Sequence, residues 1–307
     1  MIEKATGIDR TATVILLLGM AFVLAPLVIA FVTATQSYQQ FVQAGGIRFR
    51  ISGHFLDNIR LIITETQLPR QLWNSFVISL LVAAIKCAFA FTATFALVFF
   101  ENRMNRVIFA VTIATVMLPL ELVVITTYQI VANVLMPVNW IVKATGIDWL
   151  ADRIAGVRVP ELRLNLLDTY IGIAAPIATS CTSVFIYRQF FLTLPRDLPR
   201  AAAMDGAGPL RFMVDILLPL SWTPLIATFM FWFIGGWTSY LWPLIAASTP
   251  DAQPAVVGLA KLATTDPERI PEVPMLMTGA LFVSIIPVTL IAVMQRQIVR
   301  GMNLSEK

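Results

Sequence analysis

Two ionisable residues, Lys86 and Glu121, stand inside otherwise apolar stretches of this 307-residue chain. Lys86 falls about 12 residues into one stretch and Glu121 about 12 residues before the end of the next, so antiparallel helices rising ~1.5 Å per residue bring both near one depth. A charge at such depth is costly and either finds a counter-charge or faces a polar cavity. Three readings stay open: a structural Lys86–Glu121 ion pair, a lysine that attracts an anion such as phosphate, or an amine that snorkels toward water. A second group surrounds Gly235-Gly236: Trp237, Thr238, Ser239 and Tyr240, with Trp232 and Trp242 beside them. They suit the wall or gate of a polar passage, or an interfacial anchor. The glycines allow the helix either to unwind or to approach a neighbour closely. Tyr128 and Gln129 are candidates of the same kind. Bond-making chemistry has no comparable support. No cluster of His, Ser, Cys or paired carboxylates converges in the sequence. The one histidine, His54, lies in a polar loop, and Cys87 and Cys181 lack metal-ligand spacing. No Gly-x-x-x-x-Gly-Lys-Ser/Thr loop is present to cradle a nucleotide phosphate.

The elements that must position these residues are membrane helices. The chain is 58% hydrophobic and 13% charged, about half the charged fraction of a soluble domain. The expected fold is a single all-α membrane domain over 1–307 with about six transmembrane helices. The expected spans are 12–35, 74–100, 107–133, 169–193, 218–246 and 274–295. The first is too long for a cleaved signal peptide and reads as an uncleaved helix. With the N-terminus inside, about 11 Lys and Arg fall in roughly 60 inner residues, against about 10 in roughly 100 outer ones. Both termini are therefore expected in the cytoplasm. The net charge of +4 is scattered at helix ends, which fits lipid headgroups better than nucleic acid. In the outer segment 134–168, apolar residues at 147, 150 and 154 share a helix face beside Trp149. That spacing predicts a short amphipathic helix on the membrane surface or on a partner, with a packed loop as the plain alternative. The string Lys-Ala-Thr-Gly-Ile-Asp at both 4–9 and 143–148 is coincidental, because its surroundings differ.

The stretch from Tyr187 to Leu225 is too polar to continue span four, yet it is strongly patterned. Pro195 and Pro199 end the preceding helix. Arg200, Ala201, Ala202, Ala203 and Met204 form a short helical run. Asp205-Gly206 then marks a turn, with Ala207 after it. A second helix starts near Pro209, and Pro219 and Pro224 precede membrane entry. The loop over 195–219 is thus a compact cytoplasmic helix–turn–helix, shaped to fill a groove on another protein.

This segment resembles the signature loop of ATP-binding-cassette importer permeases: Glu-Ala-Ala, two residues, Asp-Gly, nine residues, Ile-x-Leu-Pro. Ala201-Ala202, Asp205-Gly206 and Ile216-Leu217-Leu218-Pro219 match it, and Arg200 stands where the family usually has Glu. The chain is similar throughout to carbohydrate-uptake permeases of the maltose-permease kind. It is most like the second permease subunit of sn-glycerol-3-phosphate importers. Arg188-Gln189-Phe190-Phe191, Thr193-Leu194-Pro195, Gly236-Trp237, Tyr240 to Leu244, Met294-Gln295-Arg296, Val299-Arg300-Gly301 and Ser305-Glu306-Lys307 carry that likeness. An outer insertion at about 138–164 departs from it. The resemblance implies a transport subunit of the bacterial inner membrane, not an enzyme, that forms half of a translocation pathway. Its 195–219 loop would carry a coupling helix between spans four and five. It implies a second permease subunit, two ATPase subunits and an extracytoplasmic substrate-binding protein. The chain itself would hold no cofactor, since ATP and Mg belong to the ATPase. Glycerol-3-phosphate, a glycerophosphodiester or a neutral sugar are the substrates this implies. An ion-coupled secondary transporter working through Lys86 and Glu121 would leave the patterned loop unexplained.

Overall fold

The computed structural model describes residues 6–100, 103–115, 120–155, 160–178, 180–195, 197–264 and 272–303. In chain order, its helices begin with α1 (Thr6–Ala34), α2 (Tyr38–Gln43), α3 (Phe55–Glu65), α4 (Leu68–Phe99) and α5 (Asn105–Thr115). Next come α6 (Leu120–Ala132), α7 (Met136–Ala144), α8 (Ile147–Ala155), α9 (Tyr170–Ala174), α10 (Cys181–Thr193) and α11 (Leu198–Met204). After α12 (Pro209–Arg211), a π-helix (Phe212–Leu217) leads into α13 (Leu218–Leu220), α14 (Trp222–Trp237), α15 (Leu241–Ala246), α16 (Ala255–Thr264) and α17 (Val273–Asn303). The all-α expectation holds.

Among the described residues, three helices are long and apolar enough to cross a bilayer. The number rises to five if each of two bent pairs counts as one span, against the six expected. The long ones are α1, α4 and the first two-thirds of α17. At ~1.5 Å per residue the 32-residue α4 reaches roughly 48 Å, longer than the ~30 Å hydrocarbon layer. The most apolar window of α1 buries nothing within the chain, so residues such as Leu16 and Phe22 are left to lipid or to another chain. The other stretches are interrupted. The α6 and α7 axes differ by 85°, and the arm Pro209–Leu220 meets α14 at 78°. Between α9 and α10 the helix breaks at Pro176, and Ser180 caps its restart by accepting from the Ser183 N–H.

The chain divides into two compact units. In the first, Met1–Leu72 with Ala255–Ile291, a core of Ile62, Leu68, Ala255 and Val283 joins α3, α4, α16 and α17. The second is Trp73–Pro254 with Ala292–Lys307. One of its cores gathers Ile78, Val82, Val131, Ile173 and Trp242 from α4, α6, α9 and α15. Asn74 is fully buried there and satisfied on all sides. Its amide donates to the Asp251 and Gln253 carbonyls at 2.6 and 3.0 Å, and its oxygen accepts from the Tyr170 hydroxyl at 2.8 Å. The other core is aromatic: Phe91, Phe95, Tyr187, Phe191 and Phe212, with Ala202 and Leu217.

The segment expected as an outer insertion folds as α7 and α8, and residues 160–164 return beside α7. Asn139 exchanges two hydrogen bonds with the Leu162 backbone at 2.7 and 3.0 Å. Lys143 and Arg163 both pair with Glu161, at 2.7 and 3.4 Å. Residues 147–155 are helical as expected, with Ile147, Trp149 and Ile154 exposed.

Candidate functional site

Helix α11 ends in a knuckle whose shape follows from two residues. Gly206 adopts φ +79°, the left-handed region that a Cβ disfavours. Its N–H donates to the Ala203 carbonyl at 3.1 Å, and the next N–H, of Ala207, donates to Ala202 at 2.9 Å. This nested pair closes the helix as a Schellman motif. Ala202 points inward into the aromatic core, tying α11 to α4, α10 and the π-helix. Arg200, Ala201, Ala203, Met204 and Asp205 are exposed, and Ala207 is half-buried. Met204 is 83% exposed, and Leu210, just beyond the knuckle in α12, is 72% exposed, so bare apolar side chains flank the turn. Arg200 pairs with Asp197 at 3.6 Å, one turn away and in the open, which is worth little in water. Beyond the knuckle the chain winds through the π-helix to an elbow at Ser221. There the buried serine hydroxyl donates to the Leu217 carbonyl at 2.6 Å.

Within the spans, a different arrangement surrounds Lys86. Its side chain is only 8% exposed. The ammonium lies 3.5 Å from the centroid of the Trp232 ring. Trp232 is oriented in turn, because its indole N–H donates to the Ser183 hydroxyl. One turn away, the Tyr187 and Thr228 hydroxyls are hydrogen-bonded, with the Cys87 thiol 3.7 Å from Thr228. Ser183 and Tyr187 on α10, and Thr228 and Trp232 on α14, are each four residues apart and so share a helix face. That spacing of polar residues in apolar helices was readable in the sequence, but which face met Lys86 was not. Three helices therefore converge on one buried cation. A desolvated cation–π contact supplies about 2 kcal/mol, whereas burying an ammonium costs several.

The helix α14 does not unwind at Gly235-Gly236; it runs through both to Trp237. A Cβ on Gly236 would lie 2.9 Å from the Ser79 Cα, so the glycine lets α14 approach α4 at backbone distance. Trp237 is 1% exposed and stacks on Phe233. Thr238 and Tyr240 are exposed and Ser239 is half-buried in the turn that follows. Tyr128 and Gln129 are exposed on α6. The Glu121 side chain, and with it the Lys86–Glu121 pair that the sequence left open, lies outside the described residues, as does the tail from Ser305 to Lys307.

An all-helical membrane domain with a buried cation and a projecting knuckle suits a component of a transport system. Residues 87–304 match the family described as binding-protein-dependent transport system inner membrane component, and the chain belongs to that family. It is a multi-pass inner-membrane protein. It is 32% identical over 314 residues to the sn-glycerol-3-phosphate transport system permease protein UgpE of Brucella melitensis biotype 1, both chains being covered completely. It is 34% identical over 313 residues, again with complete coverage, to the UgpE protein of Escherichia coli K12. Its fold is similar to a chain in the crystal structure of a bacterial ABC transporter involved in import of the acidic polysaccharide alginate. The TM-score is 0.70 at 18% identity, over 96% of this chain and 98% of the other.

Proposed function

We propose that this chain is one permease subunit of an ATP-driven importer for sn-glycerol-3-phosphate or a closely related glycerophosphodiester. The observation that carries the anionic substrate is the buried Lys86 ammonium held over Trp232. Such a cation is stabilised when an anion passes it, and the names of the UgpE relatives supply the matching class. Trp237, Thr238, Ser239, Tyr240, Tyr128, Gln129 and Glu121 complete the proposed set along the pathway. Both termini lie in the cytoplasm in this reading. The knuckle from Arg200 to Ala207 docks there on one of two ATPase subunits, which bind ATP and Mg. A second permease subunit forms the other half of the pathway, and an external binding protein delivers the substrate. ATP-driven closure of the ATPases pushes the knuckle, and Ala202 passes that motion into the aromatic core shared by α4 and α10. The helices then move as rigid bodies and expose the cavity outward. The test is the purified four-component importer in liposomes with its binding protein. Uptake of labelled sn-glycerol-3-phosphate and its stimulation of ATP hydrolysis are expected. ATP hydrolysis stimulated by neutral sugars alone would sink the phosphate assignment.

A further inference from the structure

The segment after α1 contains a cleft that the transport reading does not use. Its volume is about 380 Å³, and Gln36, Gln40, Arg48, Arg50, Ile51 and Ser52 line it. The backbone that carries the two arginines is pinned from below. The Gln36 amide donates to the Arg48 and Arg50 carbonyls at 2.6 and 3.5 Å. The Ser52 N–H donates to the Thr35 hydroxyl at 3.1 Å. The Asn58 amide donates to the Ala34 and Gln36 carbonyls at 2.8 and 2.9 Å. The Gln40 oxygen is engaged by the Ser37 N–H. Against this fixed floor, the Arg48 and Arg50 guanidinium groups make no ion pair or hydrogen bond among the described residues. Gln36 is 3% exposed, and its Oε1 has no hydrogen-bond donor among them.

Two permanently charged forks at one cleft define a ligand chemistry. Guanidinium groups grip phosphate oxygens through paired N–H bonds. The Gln36 oxygen is enclosed beneath this floor, out of a ligand's reach. A small organic phosphate fits easily in this volume. We propose that the cleft is a phosphate-binding site for such a molecule, with Arg48 and Arg50 on the phosphate. The proposal rests on the reading of the chain as an organic-phosphate permease, and in that topology the cleft lies on the outer side. A lipid headgroup offers the same phosphate, so the test separates the two sources.

The wild-type importer in detergent is labelled with phenylglyoxal, and adducts are followed by mass spectrometry. The exposed Arg60 and Arg70 serve as references. At about ten times its half-protecting concentration, sn-glycerol-3-phosphate slows labelling of Arg48 and Arg50 about tenfold, and leaves the references alone. Inorganic phosphate protects the same pair, which supports the phosphate grip, and glycerol does not. Equal labelling with and without sn-glycerol-3-phosphate overturns the proposal. Protection by short-chain phosphatidylglycerol but not by the soluble phosphates also overturns it, in favour of a lipid site. Uptake by the same preparation is scored separately. Uptake with both arginines unprotected sinks the cleft and keeps the transport reading. Protection by inorganic phosphate without uptake does the reverse. The doubly substituted Arg48→Gln, Arg50→Gln importer is expected to raise the KM for uptake about tenfold, and an unchanged KM counts against the site.

Discussion

The knuckle of α11 and the cluster around Lys86 treat side chains in opposite ways. The knuckle leaves Met204 bare outside every candidate span among the described residues, while the cluster hides a charge among aromatic rings and hydroxyls. Each arrangement is unfavourable for the isolated chain, for apolar surface in one case and for charge in the other. In the proposed function each becomes favourable with something added from outside: an apolar groove for the knuckle, an anion for the lysine. The two regions are joined, because Ala202 of the knuckle and Tyr187 beside the cluster belong to the same aromatic core.

The sharpest way to break the comparison is Gly206→Pro. Proline holds φ near −65°, and the position requires +79°, so the nested turn cannot form. Uptake and substrate-stimulated ATP hydrolysis are expected to fall by about a hundredfold, about 3 kcal/mol of lost turn geometry. Subunit assembly, read by size-exclusion chromatography, should survive. Full coupling in that variant would remove the knuckle from the mechanism. Next in size is Lys86→Met, which replaces the cation by an apolar chain of similar length. Uptake of the phosphate should drop by roughly tenfold or more, in proportion to the lost charge contact. A stability gain with unaltered uptake would make Lys86 a burden of the fold and not part of the pathway.

A smaller effect is expected from Gly236→Ala. The added carbon meets the Ser79 backbone at 2.9 Å, so α14 must shift away from α4. Trp232 lies one turn earlier on α14, and its ring would move from the ammonium. Overpacking of this kind costs about 1–3 kcal/mol, seen as a lower unfolding midpoint and changed Trp fluorescence. A midpoint equal to wild type would show that the helices have slack there. The smallest effect lies far from both regions and serves as a reference. At Glu161, hydrogen bonds from Lys143 and then Arg163 hold the carboxyl below its usual range. Its contribution to the insertion is present above the ordinary carboxylate pKa, and is lost as pH falls through the lowered one. Relative to the intrinsic exchange rate at each pH, amide protection at Leu162 and Leu164 should fall modestly in acid, and Glu161→Gln should remove that fall.

Much of the fold class was legible because apolar length alone reports a membrane helix, and α1, α4 and α17 are long and uninterrupted. Interruptions are harder to read. The break at Pro176, the bend between Ala132 and Met136 and the elbow at Ser221 leave hydrophobicity nearly unchanged. The turn at Asp205-Gly206 was legible because glycine reports a backbone conformation directly. The neighbours of Lys86 were not. Depth along a helix follows from residue counting, but the direction a side chain faces depends on helix rotation, which only packing sets. Hence the arithmetic that put Glu121 near Lys86 in depth could not foresee that Trp232 would face the ammonium.

The ties beneath Arg48 and Arg50 have one more consequence. They run from amide and hydroxyl groups to backbone carbonyls and to another hydroxyl, and none of these partners takes up or loses a proton across the ordinary pH range. Neither added salt nor mild acid therefore removes the attraction that holds this stretch of chain in place. The segment after α1 would thus keep one shape across a wide range of acidity and ionic strength.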